Sequence, residues 1–203
     1  MGRQLFEYVG NLDTLLAVCV GAVLATGGAL VADVIQERAG RKRRERDAAR
    51  FFGEILTSID RILDVAFASQ EIGERWGSVT RRLYRTAQNE AGVYERNRER
   101  LFDIRDMGLR SRIHEHFLSK SVCVTAVLEY CNEVMEIEKR LGHDSSMSSQ
   151  HDDALKAQLA EQNESREAAL VTLVEERAKT KSITADLQRI ARVEFSEIEA
   201  RAS

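Results

Sequence analysis

The four histidines of this sequence are the residues whose type could support metal binding or proton transfer. His114 and His116 are two residues apart in a helical pattern and point to different faces, whereas helical zinc sites use ligands at i and i+4. His143 and His151 each precede an aspartate within HDSSMSSQHDD, a serine-rich stretch that predicts a surface loop. A flexible loop cannot hold ligands or a proton relay in fixed geometry. The histidines therefore predict neither a metal site nor a catalytic dyad.

Clustered glutamates suggest a second kind of chemistry, a pair of metal ions bridged by carboxylates inside a helical bundle. Glu133, Glu136 and Glu138 lie close together, but such sites also need an E-x-x-H motif on partner helices, and the sequence contains none. The three cysteines lack metal-ligand spacing, and no glycine-rich phosphate loop, G-x-S-x-G motif or kinase signature occurs. We therefore predict a protein that is not an enzyme and that binds no metal or cofactor.

Arginines are dense in the middle of the chain and could indicate nucleic-acid binding. Ten of them lie between Arg75 and Arg112, but acidic residues are interspersed among them and the whole chain has a formal net charge of −3. A nucleic-acid-binding protein normally presents a basic face without opposing charge. We therefore expect no nucleic-acid partner.

The elements that position these residues are predicted to be helices. The chain contains no proline in 203 residues. Because proline removes a helical hydrogen bond and clashes with the preceding turn, its absence favours long uninterrupted helices. We predict an all-α protein with room for one cytoplasmic domain.

An uncharged run of nineteen residues, Thr14–Ala32, is the clearest indication in the sequence of where a membrane-spanning helix lies. As a helix it nearly crosses the ~30 Å hydrocarbon core of a bilayer, and Val34 and Ile35 extend it. A signal peptide is one alternative, but the preceding residues are acidic and a basic cluster follows. A buried core helix is another, but dense glycine and alanine favour the bilayer. We predict a single transmembrane helix over residues 13–35, after a short extracytoplasmic N-terminus of residues 1–12.

A basic segment, residues 36–50, follows the predicted transmembrane helix and indicates its orientation. Seven basic residues lie between Arg38 and Arg50, whereas the thirteen residues before the run carry only Arg3. Cytoplasmic flanks are enriched in lysine and arginine, so we predict an outside N-terminus and a cytoplasmic C-terminus in a plasma membrane. The side chains expected to contact anionic membrane lipid are Arg41, Lys42, Arg43, Arg44 and Arg46.

Small residues recur along one side of the predicted transmembrane helix. Gly21, Ala25, Gly28 and Ala32 are spaced by four, three and four residues, which lets a second helix backbone approach closely. The alternative is that small residues simply fill a weakly hydrophobic helix. The first interpretation predicts a homo-oligomer, in addition to a protein partner that the sequence does not identify.

Apolar residues at helical spacing predict four helices. The first continues from the transmembrane segment to about Gln70, the second follows a turn at Trp76, the third ends at Gly142 and the fourth begins at Asp152. We predict that residues 51–203 form a cytoplasmic antiparallel bundle of three or four helices with a long C-terminal helix. The apolar positions expected in the second helix are Val79, Leu83, Ala87 and Ala91, and the residues that interrupt the apolar face of the fourth are Gln162, Asn163 and Arg166.

The segment AGVYERNRERLFDIRDMGLRSRIHEHF resembles a motif of uncharacterised bacterial single-pass membrane proteins with a cytoplasmic helical domain. In that motif a V-Y-x-x-N-x-x-x-L turn leads into a helix. This chain departs from it at Phe102–Arg105 and at Phe117–Leu118, where a Gly-Leu-Leu-Pro turn and a Phe-Tyr pair are expected. The resemblance implies a bacterial inner membrane and a helical architecture, but no mechanism. The matching positions are Val93, Tyr94, Asn97, Leu101, Ile113 and Phe117.

Two functions remain open at this point. The first is a non-catalytic, membrane-anchored helical interaction or scaffold protein. The second is an accessory or signalling subunit of a larger bacterial inner-membrane assembly. The residues 1–12 predicted to lie outside the membrane are too few for a sensory domain, so in the second case a partner in the membrane would have to receive the signal.

Overall fold

The computed structural model describes the backbone of residues 2–143 and 149–195 and the side chains of residues 16–142 and 151–195. Within these residues the regular secondary structure is helical, as the sequence predicted. The predicted loop at residues 143–153 is described only in part, because Asp144 to Ser148 lie outside the described residues. In chain order the helices are α1 (Gly2–Ile72), α2 (Ser78–Arg96), a 3₁₀ helix (Arg98–Asp103), α3 (Met107–His143) and α4 (Ser149–Ala191).

The chain divides into two compact units, Met1–Arg44 and Glu45–Ser203, and we refer to the second as the helical domain. In the first unit, every described side chain from residue 16 to residue 39 is exposed. An 18-residue stretch of this helix has a mean hydropathy of 2.1, and none of the stretch is buried. The helix is therefore long and apolar enough to cross a membrane.

The core of the helical domain contains residues from all four α-helices, and α3 packs along both α2 and α4. α1 carries apolar residues at helical spacing from Phe52 to Ala66, and it buries this face, although Ile62 is only half-buried. The Tyr94 ring of α2 stacks on the Phe117 ring of α3 with centroids 4.1 Å apart, and Phe52 of α1 meets Phe117 edge-on at 6.3 Å. Such ring pairs contribute about 0.5–1.5 kcal/mol each beyond the burial of their area. These rings therefore join three helices at one level of the core.

The buried face of α2 agrees with the prediction at Ala87 and Ala91 but differs from it nearer the start of the helix. Val79 is 64% exposed and Leu83 is half-buried, whereas Thr80 and Tyr84 are buried. The Tyr84 ring stacks on Trp76 with centroids 6.4 Å apart, and its hydroxyl accepts a hydrogen bond from Gln70 Nε2 at 2.9 Å. A buried tyrosine removes more apolar area from water than a valine does, so packing on the tyrosine side determines how α2 is rotated.

Arg166, predicted to interrupt the apolar face of α4, is buried against the turn between α1 and α2. Its guanidinium carbon lies 4.4 Å from the centroid of the Trp76 ring. The next residue, Glu167, accepts hydrogen bonds from Trp76 Nε1 at 3.2 Å and from Arg75 Nη2 at 2.6 Å. The interruption is therefore a packing contact between a cation and an aromatic ring.

The ends of α3 and α4 also differ from the prediction. α3 continues through Gly142 to His143, and α4 begins at Ser149 rather than at Asp152. His151 and Asp152 consequently lie in the first turns of a helix and not in a surface loop. There Asp152 accepts a hydrogen bond from Lys156 one turn later, at 2.6 Å.

Candidate functional site

Five polar side chains meet in the interior of the helical domain, and we refer to them as the polar core cluster. Lys120 and Thr180 are only 1% and 2% exposed, and His116 is also buried. α1 contributes an aspartate, α3 a histidine and a lysine, and α4 a glutamate and a threonine. The members are Asp60, His116, Lys120, Glu176 and Thr180.

Lys120 is at the centre of the polar core cluster. Its Nζ donates hydrogen bonds to Asp60 Oδ1 and, at 2.7 Å, to Thr180 Oγ1. The Thr180 hydroxyl in turn donates to Asp60 Oδ1 at 3.3 Å. Burial lowers the pKa of Lys120, while the Asp60 carboxylate opposes this shift by favouring the charged amine. An unpaired buried ammonium would cost several kcal/mol, so these two acceptors make the position of Lys120 tenable.

His116 adds a titratable group to the polar core cluster. Its Nε2 lies 2.9 Å from Thr180 Oγ1. The one hydroxyl hydrogen of Thr180 goes to Asp60, so we assign the imidazole hydrogen to Nε2, which donates it to Thr180. The Nδ1 atom then carries a lone pair, has no hydrogen-bond partner in the described part of the chain and lies 3.8 Å from Glu176 Oε2. Burial and, to a smaller extent, the nearby charge of Lys120 lower the pKa of His116 to about 4, although Glu176 opposes the shift.

A pocket of about 280 Å³ between α3 and α4 borders His116 and Glu176. Two cations on its wall are already paired, since Arg112 bonds to Asp186 and Lys179 bonds to Glu176. Chemically, the arrangement holds one buried charge pair at Lys120 and presents His116 Nδ1 as a weak base beside a carboxylate. The pocket is additionally lined by Glu115, Ser119, Ser182 and Ile183.

Sequence reasoning did not single out Asp60, Lys120 or Thr180, although a signal was present. Each of them falls at an apolar position of its helix: Lys120 lies three residues after Phe117 and four before Val124. A polar residue at helical spacing within an apolar stripe indicates either an exposed break in the stripe or a buried polar partner. Three such breaks, one on each of three helices, would together have indicated a polar core cluster.

The residues first considered for metal chemistry have other contacts. His114 Nδ1 lies 2.6 Å from the Tyr94 hydroxyl of α2, so His114 and His116 contact different helices. Burial raises the pKa of Tyr94 to about 12. The glutamates of α3 are exposed, and Glu136 accepts a 3.4 Å hydrogen bond from Arg140 Nε. Among the described residues no group of three or more His, Cys, Asp or Glu side chains is placed to hold a metal ion.

The residues predicted to contact lipid or another helix lie at the surface of the first unit and the start of the second. Gly21, Ala25, Gly28 and Ala32 are all exposed, and the space where a Cβ would stand on either glycine is open. The basic residues 41–44 are exposed, Arg41 bonding to Glu37 one turn earlier, whereas Arg46 is half-buried. The four small residues and residues 41–44 are therefore accessible to a partner.

Asp60→Asn and Lys120→Met should differ in their cost to the free energy of unfolding. The first leaves a fully buried ammonium beside a neutral amide, and we expect a loss of about 3 kcal/mol. The second retains most of the aliphatic chain and leaves a carboxylate that is 21% exposed and can be hydrated, so we expect a loss of about 1 kcal/mol. Urea unfolding of the full chain in mild detergent, followed by circular dichroism, measures both.

The matched control for these variants is Asp64→Asn. Its carboxylate is 51% exposed and pairs with Arg177 between the same two helices, α1 and α4, that Asp60 and Thr180 join, so the expected loss is below about 1 kcal/mol. If Asp60→Asn and Asp64→Asn lowered the free energy of unfolding equally, the claim that the buried Lys120 ammonium needs the Asp60 carboxylate would be contradicted.

The stability of the helical domain should also depend on pH through His116. The pKa of His116 is about 4 in the folded chain and 6.5 when unperturbed, so between these values the unfolded chain binds more protons. The contribution of His116 to the free energy of unfolding is therefore fully present above about pH 6.5 and is lost as the pH falls towards 4. His116→Gln keeps a donor for Thr180 but cannot be protonated. Its unfolding free energy should therefore fall less than that of the wild type over this range, by up to about 3 kcal/mol. Parallel curves for the two proteins would be inconsistent with a buried neutral His116.

Comparison with known proteins supplies no family for this chain. No protein-family model, no curated protein and no solved structure matches it. The polar core cluster, the exposed apolar helix and its basic flank are therefore the features that bear on function.

Proposed function

We propose that this chain is a single-pass membrane protein whose helical domain is a non-catalytic interaction or scaffold module. The observation that carries the proposal is a contrast in burial between the two units. Every described side chain from residue 16 to residue 39 is exposed, whereas the helical domain buries its own apolar faces. Lipid can cover the apolar side chains that the rest of the protein leaves exposed. A helix can cross the bilayer because its backbone hydrogen bonds are satisfied internally.

We further propose that the helical domain is cytoplasmic and that the membrane is a bacterial inner membrane. The support for the orientation is the basic segment, in which residues 41–44 are exposed. Basic flanks stay on the cytoplasmic side, and each charge near an anionic leaflet contributes about 1 kcal/mol of attraction. The bacterial assignment rests on the resemblance over Val93–Phe117, which stays a prediction.

The helical domain is proposed to be an antiparallel four-helix bundle. Its support is the order in which contacts follow one another along α1. Contacts from α1 to α3 advance along both helices in the same direction, whereas contacts to α2 and α4 advance in opposite directions. The pairs are Phe52–Phe117 and Asp60–Lys120 with α3, Phe52–Tyr94 and Gln70–Tyr84 with α2, and Asp60–Thr180 and Asp64–Arg177 with α4.

The proposal of an interaction module is supported by the kinds of groups that are buried and exposed. The amine of Lys120 is enclosed by Asp60 and Thr180, and so it is unsuited to act on a substrate. Aliphatic side chains are instead exposed one turn apart on two helices: Leu118 and Val122 on α3, and Val171 and Val174 on α4. These side chains are available to contact a partner.

Self-association through the small-residue side of the membrane helix is tested by Gly28→Ile, with Gly27→Ile as the matched control. Neither glycine has another atom within 4 Å of the position that a Cβ would occupy, so neither change disturbs the isolated chain. Gly27 lies well away from the side that carries Gly21 and Gly28, because successive residues are ~100° apart around a helix. We expect Gly28→Ile to shift the protein towards monomer and Gly27→Ile to leave its mass unchanged. Light scattering in mild detergent measures the mass.

Crosslinking in native membranes, followed by identification of the linked proteins, completes the test of the proposed function. A second copy or a separate protein linked to the wild type and lost in Gly28→Ile supports an interaction module. Linkage to a multi-subunit membrane complex would favour the alternative, an accessory or signalling subunit. The proposal fails if the wild-type chain is found in the soluble fraction, or if it is monomeric and unlinked in its membrane.

A further inference from the structure

His116 has one ring atom that the polar core cluster leaves without a partner. The side chain is only 4% exposed, and its Nε2 donates to Thr180 Oγ1 at 2.9 Å. Nδ1 therefore carries a lone pair, and it has no hydrogen-bond partner in the described part of the chain. Buried polar atoms in folded proteins are nearly always hydrogen-bonded, so an acceptor in this position calls for a donor from outside the chain.

A second acceptor faces the same atom. Glu176 Oε2 lies 3.8 Å from His116 Nδ1, and Oε1 of that carboxylate is bonded to Lys179 Nζ. Burial is the main cause that lowers the pKa of His116 to about 4, so at neutral pH the imidazole has no N–H to offer Glu176. Lys120 lowers this pKa as well, but its own ammonium is paired with Asp60. Two lone pairs held this close repel each other unless a donor group satisfies both.

The charges on the wall of the pocket between α3 and α4 favour a cationic donor. Its two cations are each paired with a carboxylate, Arg112 with Asp186 and Lys179 with Glu176, and Glu115 adds a further negative charge. The hydrogen bond to Glu176 and, to a smaller extent, the charges of Glu176 and Glu115 raise the pKa of Lys179. The wall therefore already stabilises one ammonium group.

The size of the pocket and the number of acceptors indicate which cation fits. About 280 Å³ is just below the range of ~300–1,000 Å³ that is typical of ligand pockets, so the ligand has few heavy atoms. A metal ion is poorly matched, because the structure, over the residues it describes, places no three metal-ligating side chains together. An ammonium has three N–H donors, enough for both acceptors and a hydroxyl of Ser119 or Ser182, and Ile183 offers an apolar contact for a carbon chain.

We propose that the pocket between α3 and α4 binds a small primary alkylammonium ion, whose N–H groups donate to His116 Nδ1 and Glu176 Oε2. The inference does not depend on the proposed membrane anchorage, because every residue that it uses belongs to the helical domain. It goes beyond an interaction module by giving this domain a ligand of its own. The ion contacts α3 through His116 and α4 through Glu176, so its binding stabilises the junction of these helices.

The test uses the full chain with isotope-labelled histidine, in mild detergent at neutral pH, and n-butylammonium chloride as the probe. Nitrogen NMR follows the imidazoles, and the Nδ1 resonance of His116 is identified by its absence from His116→Gln. We expect this resonance to shift in a saturable way, with a midpoint of about 1 mM for so small a ligand. The control ligands are n-butanol, a donor without charge, and tetramethylammonium, a cation without an N–H. Neither should move the resonance at the same concentration.

Variants of three glutamates show whether the two acceptors hold the ion. Glu176→Gln should raise the midpoint about tenfold or more, because it removes a charged acceptor. Glu115→Gln, at an exposed position on the pocket wall, should raise the midpoint about threefold and leave the fold intact. Glu175→Gln is the matched control, because Glu175 is exposed and is not among the residues that line the pocket. Its midpoint should equal that of the wild type.

Three results would overturn the inference. The His116 resonance could stay unmoved by n-butylammonium, which would leave the space to water. It could move equally with n-butanol, which would mean that a neutral donor suffices. Glu175→Gln could weaken binding as much as Glu176→Gln, which would place the ion elsewhere on the surface. Circular dichroism checks that Glu176→Gln is folded, and if it is not, Glu115→Gln and the two control ligands still decide the outcome.

Discussion

A lysine ammonium buried at the centre of an apolar core is the constraint on which the packing of the helical domain depends. Lys120 can remain there only while Asp60 of α1 and Thr180 of α4 both accept its hydrogen bonds. Sliding one helix by a single turn, about 5.4 Å, would place the amine opposite apolar side chains at a cost of several kcal/mol. Apolar packing alone tolerates such slips more readily, because one aliphatic layer resembles the next. We infer that the buried charge pair selects one register for three helices.

The features on either side of the polar core cluster are compatible with that register. In one direction along α1, Phe52 meets the stacked rings of Tyr94 and Phe117. In the other, Arg166 packs on Trp76. Glycine also permits a close approach, since a Cβ on Gly53 would lie 2.0 Å from Cζ of Phe195. Aromatic contacts at both levels and a polar contact between them thus define how the helices meet.

The sequence was sufficient to predict the features that depend on composition and periodicity. An all-helical chain, an apolar N-terminal helix and the buried face of α1 follow from proline usage, hydropathy and the 3.6-residue repeat. In α2 the prediction was right at Ala87 and Ala91 and wrong at Val79 and Leu83. The stripe containing Val79 was judged by residue type, whereas the larger Tyr84 determines which side packs at the start of the helix. Arg166 and Lys120 were not recognised as buried because the partners that make their burial tenable, Trp76 and Asp60, lie on other helices. Interactions between segments distant in the sequence leave only indirect signals in a single chain.

The central claim is that one unit of this chain is covered by lipid and the other by its own core, and the three natural cysteines report on both. Cys123 and Cys131 are buried in the helical domain, and Cys19 is exposed on the apolar part of α1. Labelling of the wild-type protein in native membranes with a water-soluble maleimide, before and after urea, tests the claim directly. The account predicts no labelling before urea, and labelling of Cys123 and Cys131 but not Cys19 in urea. Labelling of Cys19 while the membrane is intact would contradict the account, as would labelling of Cys123 and Cys131 without urea.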